Sequence, residues 1–263
     1  MIPNLKSQLK NLKTGQTLAK SRLKRWILAT DSHGDMVDPD AEAAFMDFNR
    51  QWKADIRIHG GDFMDLRALR KGASDEEKSE GVKVDVERGL QFISDMRATV
   101  VLDGNHDDRL KRAINEGCGR LREYALMLHN SVEDRLASFG VQRVGYCVRR
   151  GVHQLGAARI VHGYHAGMYA AKMAAQSFQG RPTIMGHTHC FSTFDLPTFD
   201  RISGYTIGCL CKLDMEYAKT HANTLRWSHG WAYGHLFPSG EVSVYRAEKF
   251  GDQWSFPTEF RHL

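Results

Sequence analysis

The chain has 263 residues, of which 42% are hydrophobic and 25% are charged, and its formal net charge is +5. This composition is typical of a globular protein with a sizeable core, and it excludes a disordered chain, a collagen-like repeat and a small disulfide-stapled domain. No apolar run approaches the ~18 residues of a membrane-spanning helix, so we expect no membrane span. Five cysteines without Cys-x-x-Cys spacing favour free thiols and a cytoplasmic location.

The N-terminal segment differs in charge from the rest of the chain. Residues 1–26 carry seven lysines and arginines and no acidic residue, and the remaining chain is slightly acidic. Such a segment is typical of contact with nucleic-acid phosphates or anionic lipid, and the alternative is a solvated, partly helical extension. We therefore predict a basic arm over residues 1–25, without the apolar run of a secretory signal, and a single domain over residues 26–263.

Hydrophobic patterning predicts alternating strands and helices in the first part of this domain. Two charged segments, residues 66–89 and 108–139, are predicted as helical excursions outside the core. The predicted strands cover residues 26–30, 56–59, 99–102, 141–148, 158–161 and 181–185, and the predicted helices cover residues 40–53 and 90–96.

The last part of the domain has the alternation of antiparallel strands. Trp231, Tyr233, His235 and Phe237 alternate with small or polar residues before a Pro-Ser-Gly turn, and a second apolar alternation follows, which indicates a β-hairpin. No linker separates this part from the α/β units. We therefore predict one α/β domain with two packed sheets.

Five of the predicted strands end in short motifs that combine aspartate, asparagine and histidine. Each motif is common by chance, but strand ends of an α/β sheet meet at one edge, where ligands bind. Buried carboxylates and imidazoles are unfavourable without partners, and a cluster of them without a thiolate suits Mn²⁺, Fe or Zn²⁺. Two adjacent cations that share a carboxylate would support displacement at phosphorus. The motifs are Asp31-Ser-His33, Gly61-Asp-Phe-Met-Asp65, Gly104-Asn-His-Asp107, His162-Gly163 and Gly186-His-Thr-His189.

In this order the five motifs resemble those of the calcineurin-like metallophosphoesterase superfamily. The resemblance implies a four-layer α/β/β/α sandwich of two mixed sheets flanked by helices. It also implies hydrolysis of a phosphate ester by a hydroxide that bridges two divalent metal ions. Mn²⁺ is the expected metal, and Fe or Zn²⁺ are the alternatives.

The resemblance further implies a role for each motif residue. His106 would protonate the leaving oxygen or stabilise the transition state, and Asp65 would orient His106. Seven metal ligands are implied: Asp31, His33 and His189 for the first ion, Asp62 as the bridge, and Asn105, His162 and His187 for the second.

Several further residues have two interpretations. Arg67 and Arg109 each follow a motif and could bind a substrate phosphate, or each could be a surface arginine. His165 is an alternative ligand to His162, although the strand that precedes His162 favours the latter. Cys209 and Cys211 lie two residues apart on a predicted strand, and buried packing is favoured over metal binding there.

Three functions fit these observations. The basic arm and the charged segments favour a phosphodiesterase or nuclease that acts on nucleotides or nucleic acid. The slightly acidic body favours the alternative, a small-molecule or protein phosphomonoesterase, because a face that binds a duplex needs many cations near the site. A non-catalytic scaffold is the third, and it would be expected to lack His106 or several ligands, none of which is missing.

Overall fold

The computed structural model describes residues 22–215, 218 and 222–256, so nearly all of the predicted arm lies outside the described residues. The described strands are β1 (Lys24–Ala29), β2 (Ile56–His59), β3 (Val100–Leu102), β4 (Gln142–Val144), β5 (His153–Leu155), β6 (Ala158–Val161), β7 (Thr183–Met185), β8 (Ser192–Asp195), β9 (Ser203–Thr206), β10 (Gly230–Leu236), β11 (Tyr245–Phe250) and β12 (Gln253–Ser255). The described helices are α1 (Pro39–Trp52), α2 (Asp75–Ser79), α3 (Val82–Asp95), α4 (Asp108–Glu116), α5 (Gly119–Ser138) and α6 (Ala170–Phe178).

The strands form two mixed sheets, as predicted. One sheet has the order β12-β11-β10-β1-β2-β3-β4, and the other has the order β5-β6-β7-β9-β8. Strands β1 to β4 are parallel to one another, and β10 joins β1 in antiparallel orientation. In the second sheet β6, β7 and β9 are parallel, and the edge strands β5 and β8 are antiparallel to their neighbours. Each sheet therefore has a parallel centre, whose strands end at one edge.

Side chains of β1 alternate between two hydrophobic cores. Trp26 and Leu28 join the cluster between the sheets, which also contains Ile160 and Ile184 of the second sheet. Ile27 points to the opposite face, into the cluster formed with α1 and α3. A third cluster lies between the second sheet and α6. Because successive strand residues face opposite sides, this pattern gives the predicted α/β/β/α layers.

Helix α1 shows how the sequence sets the local structure. Asp38 accepts a hydrogen bond from the backbone N–H of Ala41, and Pro39 occupies the first turn. Both features favour helix initiation. Phe45 is buried at 0% exposure and stacks on Phe92 of α3.

The charged segment over residues 66–89, predicted as a helical excursion, has two parts: α2 has no buried residue, whereas α3 packs in the main core. Helix α3 buries Val82, Val86 and Leu90 in the main core, and its acidic and basic residues lie mostly on the other face. The spacing of four residues between these apolar positions is that of one helical face, but the surrounding charges obscured it. Asp85 of the same helix is buried and points to the motif loops.

Other differences concern short elements. The strand predicted over residues 141–148 is limited to β4, whereas β5 and the alanine-rich helix α6 were not predicted. Strand β1 begins at Lys24, before the predicted domain boundary, because its pairing with β10 extends from Leu28 to Lys24. Among the described residues, no helix is both long and apolar enough to cross a bilayer.

Candidate metal centre

The five motifs lie directly after the carboxyl ends of central strands from both sheets. Asp31, Asp62 and Asn105 follow β1, β2 and β3 of the seven-stranded sheet. His162 and His187 follow β6 and β7 of the five-stranded sheet. The candidate site therefore lies at the carboxyl ends of the central strands, and both sheets contribute possible metal ligands.

Tight backbone turns aim these side chains inward. Five of the predicted ligands have left-handed backbone conformations, with φ of 53°, 52°, 54°, 66° and 54° at Asp31, His33, Asp62, His187 and His189. Such values are uncommon outside glycine. They turn the chain sharply after β1, β2 and β7, so that ligands from separate loops face one another.

Two glycines allow these loops to approach closely. A Cβ at Gly104 would lie 2.0 Å from Asp62 Oδ1, and a Cβ at Gly186 would lie 2.5 Å from Asp31 Oδ2. The backbone N–H groups of Asp31 and His33 donate to the carbonyls of Gly61 and Asp62 at 3.0 and 2.9 Å, which joins the first two loops. The glycines of the motifs thus have a steric role.

The predicted first-ion ligands form one half of the cluster. Asp31 Oδ1 lies 3.2 Å from His189 Nε2, and His33 Nε2 lies 3.4 Å from the same nitrogen. All three side chains are buried. Asp31 Oδ1 has no hydrogen-bond partner among the described residues, whereas Oδ2 accepts from the Thr30 hydroxyl and the His187 backbone N–H. A buried carboxylate oxygen in this state is the kind of atom that a cation would satisfy.

The predicted second-ion ligands form the other half. His162 Nε2 lies 3.2 Å from Asp62 Oδ2 and 3.0 Å from Asn105 Oδ1. One donor atom of His187 falls within 4.8 Å of those of Asp62 and His162. Asp62 Oδ2 also lies 3.9 Å from His33 Nε2 in the first half. Asp62 thus has the central position expected of a bridging ligand.

The hydrogen bonds of the imidazoles favour cation binding. His33 Nδ1 lies 2.8 Å from Asp65 Oδ1, and His162 Nδ1 lies 3.1 Å from the Gly60 carbonyl oxygen. Because both partners accept hydrogen bonds, each Nδ1 carries a proton, and Nε2 offers its lone pair to the cluster once it is deprotonated. This donor set fits divalent cations.

The pKa of His162 shows how strongly the cluster favours positive charge. Burial favours its neutral form, but the adjacent Asp62 carboxylate outweighs burial and raises the pKa of His162 to about 9. His187 has the opposite shift, because burial and the neighbouring His162 lower its pKa to about 4. The cluster therefore attracts positive charge at the Asp62–His162 pair.

His106 and Asp65 lie together beside the cluster, as predicted. Asp65 Oδ1 lies 2.8 Å from His106 Nδ1 and 2.8 Å from His33 Nδ1, so one oxygen contacts both imidazoles. The His106 backbone N–H donates to Asp62 Oδ1 at 2.8 Å. Burial lowers the pKa of His106. A donor atom of His106 also lies within 4.8 Å of donor atoms of His33 and Asp62, so distance alone admits a ligand role too.

The two arginines differ in their surroundings. Arg109 Nη2 lies 3.1 Å from His106 Nε2, and its Nη1 donates to the Asp65 carbonyl at 2.7 Å, so it lies beside the candidate acid. Arg67 instead donates to both carboxylate oxygens of Asp35, at 2.7 and 2.8 Å, and also pairs with Glu80. These two acidic side chains bind the Arg67 guanidinium, whose Nη1 also lies 3.7 Å from Asp65 Oδ2 beside the cluster.

His165 lies away from the cluster. Its Nε2 is 3.1 Å from the hydroxyl of Ser177 on α6. His162 is the histidine of this segment that faces Asp62, and it is the one that the preceding strand favoured as the ligand.

Two buried aspartates that hold the motif loops were not identified from the sequence. Asp107 accepts backbone N–H groups of Asp62, Met64 and Gly104, and Asp85 accepts those of Asp65 and Leu66. Burial raises the pKa of Asp107 to about 8 and that of Asp85 to about 7. Asp107 belongs to a motif and could have been assigned this role. Asp85 is one acid among many in a charged segment, and no local signal marks it.

Comparisons with known proteins concern the overall fold. No protein-family model and no curated protein matches the chain. Among solved structures, it is similar to Vacuolar Protein Sorting 29 from Cryptosporidium parvum, with 12% identity, 90% of this chain and 97% of that chain covered, and a TM-score of 0.48. It is also similar to a metallophosphoesterase from Sphaerobacter thermophilus, with 16% identity, 85% of this chain and 87% of that chain covered, and a TM-score of 0.45. A third similar structure is the phosphoesterase Yfce from E. coli, with 12% identity, 84% of this chain and 96% of that chain covered, and a TM-score of 0.39. Proteins named as phosphoesterases are thus among the solved structures to which this chain is similar.

Proposed function

We propose that this protein is a metal-dependent phosphoesterase. The observation that carries the proposal is the convergence of all seven predicted ligands at the meeting edge of two sheets, with a buried Asp31 oxygen that lacks a partner. Carboxylate, amide and imidazole donors suit Mn²⁺, Fe or Zn²⁺. Two such ions, when bound, supply Lewis acidity that activates water and offsets charge at phosphorus.

The residues beside the ligands supply the remaining chemistry. His106 is the candidate donor of a proton to the leaving oxygen: its Nδ1 is held by Asp65, and its Nε2, which faces the donor Arg109, would have to take up a proton before it could give one. Arg109 is the candidate phosphate ligand, because its guanidinium lies next to that nitrogen. In the absence of substrate Arg109 and His106 contact each other, and a substrate oxygen would replace this contact.

The finer proposal is a phosphodiesterase or nuclease with Mn²⁺ as the preferred ion. The basic N-terminal arm supports a polyanionic substrate. A phosphomonoesterase is the alternative, because the ligand set determines the bond that is attacked rather than the leaving group. The five free cysteines support a cytoplasmic location.

A substrate panel tests the proposal. Metal-stripped protein would be assayed with Mn²⁺, Fe²⁺ and Zn²⁺ on bis-p-nitrophenyl phosphate, p-nitrophenyl phosphate, cyclic nucleotides and single- and double-stranded DNA. We expect metal-dependent hydrolysis that favours diesters, and its loss in Asp62→Asn. Asp195→Asn, the same substitution at an exposed strand end, is the matched control and should retain full activity. Preference for the monoester would select the alternative, and inactivity on every substrate would reject the phosphoesterase.

A further inference from the structure

A buried thiol lies behind one of the candidate metal ligands. Cys211 Sγ lies 3.7 Å from His189 Nδ1, and the Cys211 side chain is fully buried. The opposite nitrogen of the same ring, Nε2, lies 3.2 Å from Asp31 Oδ1. His189 therefore has one nitrogen in the cluster and the other against sulfur.

The other ligand histidines show what this second contact does. Nδ1 of His33 meets a carboxylate, and Nδ1 of His162 meets a carbonyl. Histidine ligands of metals generally donate their other N–H to such an acceptor, which fixes the tautomer and the ring orientation. For His189, the Cys211 sulfur lies at Nδ1, and the Cys209 thiol also interacts with the ring. Sulfur is a weak acceptor, but when an ion takes the place of the proton on Nε2, Nδ1 carries the remaining proton and the buried sulfur can accept it.

The position of Cys211 is itself tightly determined. Its backbone N–H donates to the Asp31 carbonyl at 3.0 Å, and its carbonyl lies 2.9 Å from His229 Nε2. Cys211 thus joins the loop of one candidate ligand, Asp31, to the ring of another, His189. On a further side, the ring of Trp227 packs on His189 with centroids 4.3 Å apart. The imidazole is held between a thiol and an indole.

We propose that Cys211 is a positioning residue of the metal centre: its sulfur accepts the Nδ1–H of His189 and so presents the Nε2 lone pair to the ion shared with Asp31. The inference rests on the proposed metal-dependent function. It assigns no bond between sulfur and metal. It explains why a thiol lies within 4.8 Å of donor atoms of His33 and His189 without belonging to the predicted ligand set.

Metal affinity tests the inference independently of hydrolysis. Loss of such an outer contact typically lowers metal affinity by about 10–100-fold. We expect a decrease of that size at one of two sites in Cys211→Ala, measured by chelator competition and calorimetry with Mn²⁺. Cys211→Ser keeps an acceptor and should recover most of the affinity. Cys190→Ala is the matched control, because Cys190 is also buried and follows His189, but its sulfur contacts Arg226 instead.

Two further measurements separate positioning from other roles. In a His189→Ala background, Cys211→Ala should cause no further loss of affinity, because the thiol acts only through this ring. In the Co²⁺-loaded protein, the visible spectrum should lack a sulfur-to-cobalt charge-transfer band. An additive loss in the double variant, such a band, unchanged affinity in Cys211→Ala, or a wild-type protein that binds no metal would overturn the inference. A wild type that binds metal but hydrolyses no phosphate ester would reject the proposed function alone.

Discussion

Asp65 connects two histidines through one oxygen atom. Its Oδ1 contacts Nδ1 of His33, a candidate metal ligand, and Nδ1 of His106, the candidate proton donor. The two imidazoles lie edge to face, with centroids 4.4 Å apart. Metal binding and proton transfer therefore depend on the same carboxylate, and substitutions at these positions should differ in a diagnostic way.

We predict that His106→Ala retains both metal ions and lowers turnover by about 10²–10⁴-fold, the usual contribution of a proton-transfer residue. Asp65→Ala should lower turnover and metal affinity together, because it also releases His33. Metal content and steady-state kinetics measure the two effects. His165→Ala is the control, since this histidine contacts Ser177 outside the cluster. Loss of metal from His106→Ala would show instead that His106 is a ligand.

The Asp62–His162 pair gives metal binding a defined pH dependence. The carboxylate outweighs burial and raises the pKa of His162 from 6.5 to about 9 in the metal-free protein. Below that pH an entering ion must displace a proton, so metal affinity should fall by up to about tenfold for each pH unit below 9. Chelator competition between pH 6.5 and 8.5 measures the slope, and calorimetry in buffers of different ionisation enthalpy counts the proton released. A pH-independent affinity would contradict the prediction.

The same pair affects stability without metal. Because the folded pKa of His162 lies above its unfolded value of 6.5, its stabilisation is complete below about pH 6.5 and is lost as the pH rises through about 9. Metal-free and metal-loaded protein should therefore respond to alkaline pH in opposite directions.

At the scale of elements, α3 supports the site from behind. Asp85 accepts the N–H groups of Asp65 and Leu66 at 2.9 and 2.5 Å, and a Cβ at Gly34 would lie 1.8 Å from its Oδ1. The helix thus holds two motif loops at once, although it contributes no ligand.

We predict that Asp85→Ala lowers the free energy of unfolding by at least about 2 kcal/mol, because each of two buried N–H groups loses its partner at about 1–3 kcal/mol. Asp85→Asn keeps a carbonyl oxygen and should lose less. Urea unfolding of the metal-free protein measures both, with exposed Lys83→Ala on the same helix as the control. Equal stability of Asp85→Ala and wild type would mean that water replaces the carboxylate.

The role of the basic arm can be tested by a deletion whose end point the structure defines. Arg22 pairs with Asp55, and Lys24 already belongs to β1, so a deletion should end at residue 21. This removes four lysines. If the arm binds nucleic acid, the slope of log affinity against log salt should fall by up to about three, at roughly 0.7–0.9 for each lost phosphate contact.

The arm deletion should leave hydrolysis of a small chromogenic diester unchanged. A full-length variant with the four lysines replaced by glutamine separates charge from length. Identical nucleic-acid affinity and salt slope in both variants would remove the main argument for a polynucleotide substrate and favour the phosphomonoesterase.

At the scale of the whole molecule, the candidate centre joins the two sheets. Four of its seven candidate ligands follow strands of the seven-stranded sheet. The other three, the histidines at 162, 187 and 189, follow strands of the five-stranded sheet. An ion held by both groups binds only the folded arrangement, and it should stabilise that arrangement by mass action.

We predict that Mn²⁺ at a hundred times its dissociation constant raises the free energy of unfolding by about 2.7 kcal/mol for each independent site. Urea midpoints in Mn²⁺ and in a chelator measure the difference. Asp62→Ala, which lacks the bridging position, should show little response to the metal, whereas Asp195→Ala should respond like wild type. A wild-type midpoint unaffected by metal would argue against ions held between the sheets.

The features that sequence predicted well are those encoded locally. Strands such as β1 and β2 are apolar runs that end in recognisable motifs, and parallel topology then brings Asp31 and Asp62 to one edge. The contacts of Asp85 and Cys211 depend instead on residues 19 to 22 positions away, across turns whose geometry no local pattern specifies. Helix α6 was not predicted because it is only nine residues long and its buried face consists of four alanines and Phe178, which give a weak apolar signal.

At the ligands with left-handed backbone conformations, stability of the fold and metal binding favour different residues. Aspartate and histidine tolerate this conformation better than most residues, but it still costs on the order of 1–2 kcal/mol that glycine avoids. Glycine at His33 or His189 would therefore relieve the backbone while it removed the imidazole. Selection for robustness alone would move these positions towards glycine, and an inactive descendant of this protein should lose its ligands there first. Five ligand positions in three loops carry this strain, and strain of this kind clusters at functional sites.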